Sequence, residues 1–254
     1  MKKWVKNLEN IKFTKSEYSQ YFQQDLIDYV FENIELDDNS KFCVEFGYSE
    51  DQISEYANTT GLIKNKSWDY FFLDAVFENH DINLYKEFLT TENIIEIFRK
   101  YKVPKNLGYI SIDVDSTDLW LFKELLTHYK PQLYSVEYNP QFPIDYAITT
   151  SNNPKLKFNN DCAYGASLKA LNMVAMENGY SLLWVVPTLD TFFIRNDLID
   201  DGSDFISFPI EKFKNATNLP NHPRLIDRNN ERVSNFLDYE VFLNSNFDLN
   251  KSVK

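Results

Sequence analysis

The chain is short of several things that would settle its class at once. Its 254 residues hold six Gly, two Cys and three His, and 26 Lys and Arg stand against 38 Asp and Glu for a formal net charge of -12. Two cysteines, Cys43 and Cys162, are too few and too far apart for a disulfide framework or a zinc knuckle. An acidic chain with no run of Lys or Arg has no long-range attraction for phosphate backbones or anionic membrane, which argues against nucleic-acid and membrane partners. No apolar stretch approaches the ~18 residues of a membrane span, and "MKKWVKNLENIKF" lacks the apolar centre of a signal peptide. A cytoplasmic, reduced protein is the expectation. Six glycines also leave no Gly-x-Gly-x-x-Gly after the first strand, so a nicotinamide-dinucleotide fingerprint is missing.

What is present is a core-building composition, 43% hydrophobic and 16% aromatic, enough for one large α/β domain. Helical spacing of Tyr18, Tyr21, Phe22, Leu26, Tyr29 and Val30 predicts an amphipathic helix over 16–33, with Ser16 as its cap. Apolar runs at 41–47 and 69–75 read as strands, separated by a segment compatible with a helix at 53–65. A weaker strand follows at 83–89, then a helix capped by Thr90 or Thr91 and stopped before Pro104. The alternation continues with a strand at 107–113, a helix at 116–129, a strand at 132–138, a Pro/Asn-rich loop at 139–160 and a helix at 164–179 with Gly179 past its end. Strands at 180–186 and 190–196 are joined too tightly for a parallel crossover and read as an antiparallel hairpin. The pattern predicts an α/β, doubly wound, mostly parallel seven-stranded sheet over 41–198. An N-terminal helical segment (1–40) precedes it, and an extension (199–254) packs on the same domain.

Open parallel sheets bind ligands beyond the carboxyl ends of their strands, and acids fall there: Glu45, Asp74, Asp113 with Asp115, and Glu137. Asp115 and Asp118 also suit the start of the following helix, where backbone amides favour an acid. Burying several carboxylates at one rim is costly unless partners or ligands satisfy them. Asp113, Asp115 and Glu137 offer hard oxygen ligands suited to Mg or Ca, although no spacing fixes a coordination sphere and no metal site is assigned. His80 could overhang the rim, while His128 and His222 read as structural or exposed.

The segments "VEFGYSEDQISEYANTTGLIKNKSWDYFFLDA", "ISIDVDSTDLWLFKELL", "YSVEYNPQFP" and "YGASLKALNMVAMENGYSLL…TFFIRNDL" resemble, in this order over about 41–198, the FkbM-like S-adenosylmethionine-dependent methyltransferases. The resemblance implies a Rossmann-like fold, S-adenosylmethionine as cofactor, and O-methylation of a small-molecule or glycan hydroxyl. It places Glu45, Gly47, Asn58 and Thr59 against the methionine moiety, Asp74 on the ribose hydroxyls, and Asp113 toward the sulfonium. Glu92 and Asn93 fall near the adenine. Asp113, Asp115 and Glu137 are then the candidates for the chemistry, with Tyr138, Asn139 and Tyr164 beside the acceptor. Two stretches depart from the family pattern: "GYSEDQ" carries Tyr48, Ser49 and Gln52 where further glycines are usual, and "DVDST" has Ser116 where Gly is preferred. A second reading is therefore a catalytically inactive methyltransferase-fold protein that serves as a binding or assembly module, its pocket closed by Tyr48 or neighbouring side chains. A homo-oligomer is compatible with either.

Overall fold

A computed structural model of the chain describes residues 1–14, 16–36, 40–49, 52–156, 163–202, 208–218 and 236–240. Cys162, His222 and most of the 199–254 extension lie outside the described residues. The strands are β1 (Phe42–Phe46), β2 (Asp69–Asp74), β3 (Leu84–Lys86), β4 (Tyr109–Ile112), β5 (Leu133–Glu137), β6 (Ile148–Thr150), β7 (Tyr180–Val185), β8 (Asp190–Arg195) and β9 (Phe236–Asp238). The helices are α1 (Lys3–Asn7), α2 (Gln23–Asn33), α3 (Thr60–Lys66), α4 (Ile94–Lys100), α5 (Asp118–His128), α6 (Leu168–Glu177) and α7 (Asn196–Ile199).

Seven strands form one sheet in the order β3-β2-β1-β4-β5-β8-β7, and β6 pairs with β9 in a small antiparallel sheet. β1 pairs in parallel with β2 and β4, β2 with β3, and β4 with β5, whereas β8 runs antiparallel to both β5 and β7. The expected α/β class and mostly parallel sheet are thus observed, with the hairpin supplying the reversed strand. Its turn closes through Val186 N–H donating to Asp190 O at 2.9 Å and Leu189 N–H donating to Val186 O at 3.1 Å. The direction in which successive strands are added to the sheet reverses between β1 and β4: β2 and β3 lie on one side of that boundary and β5 on the other. Right-handed crossovers leading to opposite sides put their helices on opposite faces. Accordingly α4, α5 and α6 pack in one layer, and α2 packs on α3.

The central strands are apolar because they are covered on both faces: all of β4 is buried, as is β1 from Cys43 to Phe46. One core joins Trp4, Val5 and Leu8 of the N-terminal segment, the sheet, and Phe208, Phe213 and Tyr239 of the extension. The three stretches expected from the sequence share that core among the described residues.

Two helices start seven residues later than apolar periodicity predicts, and α6 starts at Leu168 rather than at 164. Residues 16–22 are not helical, since Ser19 and Tyr21 have φ of +65° and +52°, and α2 begins at Gln23. The serines still cap it from the loop: Ser16 Oγ accepts from Asp25 N at 3.1 Å and Ser19 Oγ from Gln24 N at 2.8 Å. Likewise α3 begins at Thr60 rather than near 53, because residues 52–59 are used to build the site. Gly179 follows α6 with φ +81°, the left-handed exit expected of it.

Candidate functional site

The sheet register assembles the site. β1, β4 and β5 place Glu45, Ser111 and Ser135 side by side, and side chains two residues further along a strand point the same way. Extending the row by two brings Gly47, Asp113 and Glu137 together at the carboxyl rim. The antiparallel pairing then sets Asp190 of β8 directly opposite Glu137. Gly47 is required by this closure: its φ is +71°, and a Cβ there would lie 2.0 Å from the Asp113 carbonyl oxygen. The backbone it approaches closely is the end of β4.

Glu45 is buried and fully used. One carboxylate oxygen accepts from Asn58 N at 3.0 Å, and the other accepts from Thr59 N at 3.0 Å and Thr59 Oγ1 at 2.5 Å. It therefore fixes the entry to α3. Burial raises its pKa, opposed by those hydrogen bonds. Asn58 donates through Nδ2 to Ser111 Oγ at 3.2 Å and to Asp190 Oδ2 at 2.7 Å. Ser135 Oγ donates to Ser111 Oγ at 2.9 Å and lies 2.6 Å from Tyr109 Oη. A buried polar chain thus crosses four strands beneath the rim.

Two adjoining cavities open above this row. One, of about 280 Å³, is lined by Glu45, Gly47, Asn58, Asp113, Glu137 and Asp190 among others. Its carboxyls are held up by desolvation first and mutual repulsion second. Desolvation and then Asp190 raise the pKa of Asp113, although that residue keeps an exposed edge at the rim; burial and then Asp113 raise that of Glu137. Asp190 is pushed up to about 7, chiefly by burial and against the Asn58 hydrogen bond. No Lys, Arg or His is among the described residues lining either cavity.

The second cavity, of about 500 Å³, is lined by Leu73, Asp74, Val76, Phe88, Leu89 and Asp115, and shares Gly47, Ser49 and Asp113 with the first. Two of the acids at its wall, Asp74 and Glu87, have partners within the chain. Asp74 Oδ1 accepts from Val76 N at 2.6 Å and Phe77 N at 2.8 Å, which pins the carboxylate at the end of β2. Glu87 pairs with Lys100 at 2.6 Å and accepts from Tyr101 Oη at 2.8 Å.

Six of the residues expected at the site, Glu45, Gly47, Asn58, Asp74, Asp113 and Glu137, line one or both cavities, and Asp115 joins them in the larger. Thr59 does not reach a cavity: it is fully buried behind Glu45 and positions that carboxylate. Glu92 and Asn93 also fall outside; Asn93 ties Thr90 N and Phe88 O, while Phe88 and Leu89 line the cavity instead. His80 is exposed beside Glu78 at 3.0 Å, away from both cavities. Tyr138, Asn139 and Tyr164 are buried structural residues: Tyr138 Oη donates to Ala216 O at 2.7 Å, and Asn139 Nδ2 donates to Tyr164 O at 3.0 Å.

Asp118 opens α5 as expected, but its side chain turns back to hold the preceding loop, accepting from Val114 N at 2.7 Å and Ser116 N at 2.9 Å. Burial raises its pKa to about 7. The left-handed residue of this loop is Asp115, φ +57°, a conformation Asp tolerates, so Ser116 fits without the flexibility of glycine. Tyr48 is likewise accommodated. Its ring stacks on Phe72 at 3.8 Å, and its hydroxyl donates to Gln52 O at 2.8 Å and accepts from Ser54 N. The cavity beside it stays open.

Asp190 is the main site residue that sequence reading missed. The only signal was an acid opening an otherwise apolar strand, and its partner Glu137 lies some fifty positions earlier. No protein-family model matches the chain, and no curated protein matches it in sequence.

Proposed function

We propose that the chain is an S-adenosylmethionine-dependent methyltransferase that O-methylates a small-molecule or glycan hydroxyl. The observation that carries the reading is a split cleft at the β1/β4 reversal: a cavity with apolar walls and an amide-pinned Asp74 adjoins an acid-lined cavity, with Gly47 and Asp113 common to both. The sheet order, with its single reversed strand from a C-terminal hairpin, supports the fold that the FkbM-like resemblance implies. The acceptors and surfaces suit the cofactor. Asp74 keeps Oδ2 for ribose hydroxyls, Phe88 and Leu89 offer apolar surface to a base, and the acids complement a sulfonium and an ammonium group.

The cofactor supplies a methyl group activated on a positive sulfur. Asp74 orients the nucleoside, and Asp113 sets the boundary at which cofactor and acceptor meet. A carboxylate near the junction of the two cavities, Glu137 of the smaller or Asp115 of the larger, takes the hydroxyl proton as the acceptor oxygen gains its methyl; burial makes Glu137 a stronger base than an exposed carboxylate. The reading of a closed, non-catalytic module would require Tyr48 across the cleft, and the ring lies on Phe72 instead. Calorimetric titration of the full chain with S-adenosylhomocysteine tests the proposal. Saturable binding that Asp74→Ala abolishes is expected, and absence of binding to the folded protein sinks it.

A further inference from the structure

We propose that Asp113, Asp115 and Glu137 form a site for a divalent cation with hard ligands, such as Mg, Mn or Ca, at the rim shared by the two cavities. One oxygen from each of the three carboxylates lies within 4.8 Å of the others. Oxygens on opposite sides of a Ca ion lie about 4.6–5.2 Å apart and those on opposite sides of Mg about 4.0–4.2 Å, so carboxylates this close can converge on an ion of this class.

Proximity alone would not distinguish a metal site from a crowded acidic rim. Two further observations do. Glu137 is partly buried and lines the smaller cavity, and its Oε2 is sealed from solvent with no hydrogen-bond donor among the described residues. Asn58, only 6% exposed and part of the same wall, also holds a buried Oδ1 without a donor. Orphaned acceptors of this kind cost free energy unless a cation or donor reaches them.

The neighbouring acids sharpen the point, because the chain satisfies them itself. Glu45 is held by Asn58 and Thr59, Asp118 by the Val114 and Ser116 amides, and Asp190 by Asn58. Glu137 instead faces Asp190 directly across an antiparallel pair, an arrangement that repels when both are charged. No Lys, Arg or His is among the described lining residues, and a bound cation would supply compensating charge there. Carboxylate oxygens without nitrogen or sulfur donors select hard divalent ions.

The site stands on these side chains and does not depend on methyl transfer; only a use of the ion in acidifying an acceptor hydroxyl rests on the proposed function. The test is calorimetric titration of chelator-stripped full chain with MgCl2, MnCl2 and CaCl2, without nucleoside. One ion per chain is expected, with affinity reduced at least tenfold in Glu137→Gln and unchanged in Glu124→Gln on the exposed side of α5. Asp115→Asn provides a second variant should Glu137→Gln fail to fold, since Asn tolerates the left-handed backbone there; it too should lose at least tenfold. A folded wild type that binds no ion at millimolar concentration, or a folded ligand variant that binds as tightly as wild type, overturns the proposal. Metal binding without S-adenosylhomocysteine binding would sink the methyltransferase reading alone.

Discussion

The two cavities share a wall and differ in how their acids are settled. Around the larger one, Asp74 is pinned by two amides and Glu87 by Lys100 and Tyr101. Around the smaller one, Glu137 faces Asp190, and Asp113 is crowded by both. The first region is finished by the chain and offers fixed acceptors beside apolar surface. The second is left electrostatically open, and its stability depends on protons or cations taken from solution.

The largest effect is expected where the regions meet. Gly47→Val puts a branched Cβ against the Asp113 carbonyl at a positive φ, and should cost about 3 kcal/mol or more. Denaturant unfolding measures the loss; a variant within 1 kcal/mol of wild type would show that the junction is soft.

Next comes pH, which should act on the acidic region. Asp118 and Asp190 have carboxyls raised to about 7, against about 4 in an unfolded chain. Between those values the folded protein holds protons that the unfolded chain has released, so stability falls as pH rises through the window. In the presence of chelator the midpoint of thermal unfolding should drop between pH 5.5 and pH 8, by on the order of 5 °C. Asp190→Asn should flatten that slope. A midpoint that is level or rises with pH contradicts the contrast between the two regions.

Asp74→Asn isolates the other region. Its amide oxygen can still accept from Val76 and Phe77, so the fold should hold while affinity for S-adenosylhomocysteine drops about tenfold, ~1.4 kcal/mol. Metal affinity should not move, and a loss of both would mean that the cavities act as one. The smallest effect is expected for Tyr48→Phe. It removes hydrogen bonds to Gln52 and Ser54 but keeps the stack on Phe72, for about 1 kcal/mol of stability and no change in ligand affinity.

The strands of the large sheet were legible from their short apolar runs, whereas β6 lies in a stretch read as a Pro/Asn-rich loop and β9 in the extension; the acids at Glu45, Asp74, Asp113 and Glu137 marked the rim. Helix starts were less legible. Residues 16–22 carry apolar spacing that mimics a helix, but Ser19 and Tyr21 take left-handed turns so that serines can cap α2 from outside. Roles were harder than positions. Thr59 and Asn58 are neighbours in sequence, yet one serves Glu45 from behind while the other reaches Asp190. Which way each side chain faces depends on strand pairing, and nothing within a short window encodes it. Asp190 was hidden for the same reason, since its meaning comes from Glu137 across the hairpin.

The Asn58–Asp190 hydrogen bond spans 132 positions of sequence, and this orders events during synthesis. The first strands, Glu45 and Asp74 leave the ribosome long before β8 does, and β8 must insert between β5 and β7 before its acid can meet Asn58. Contacts so distant in sequence form late, after loop closure has been offset by strand pairing. The acidic half of the cleft is thus the last part to be completed, because Asp190 arrives only with β8.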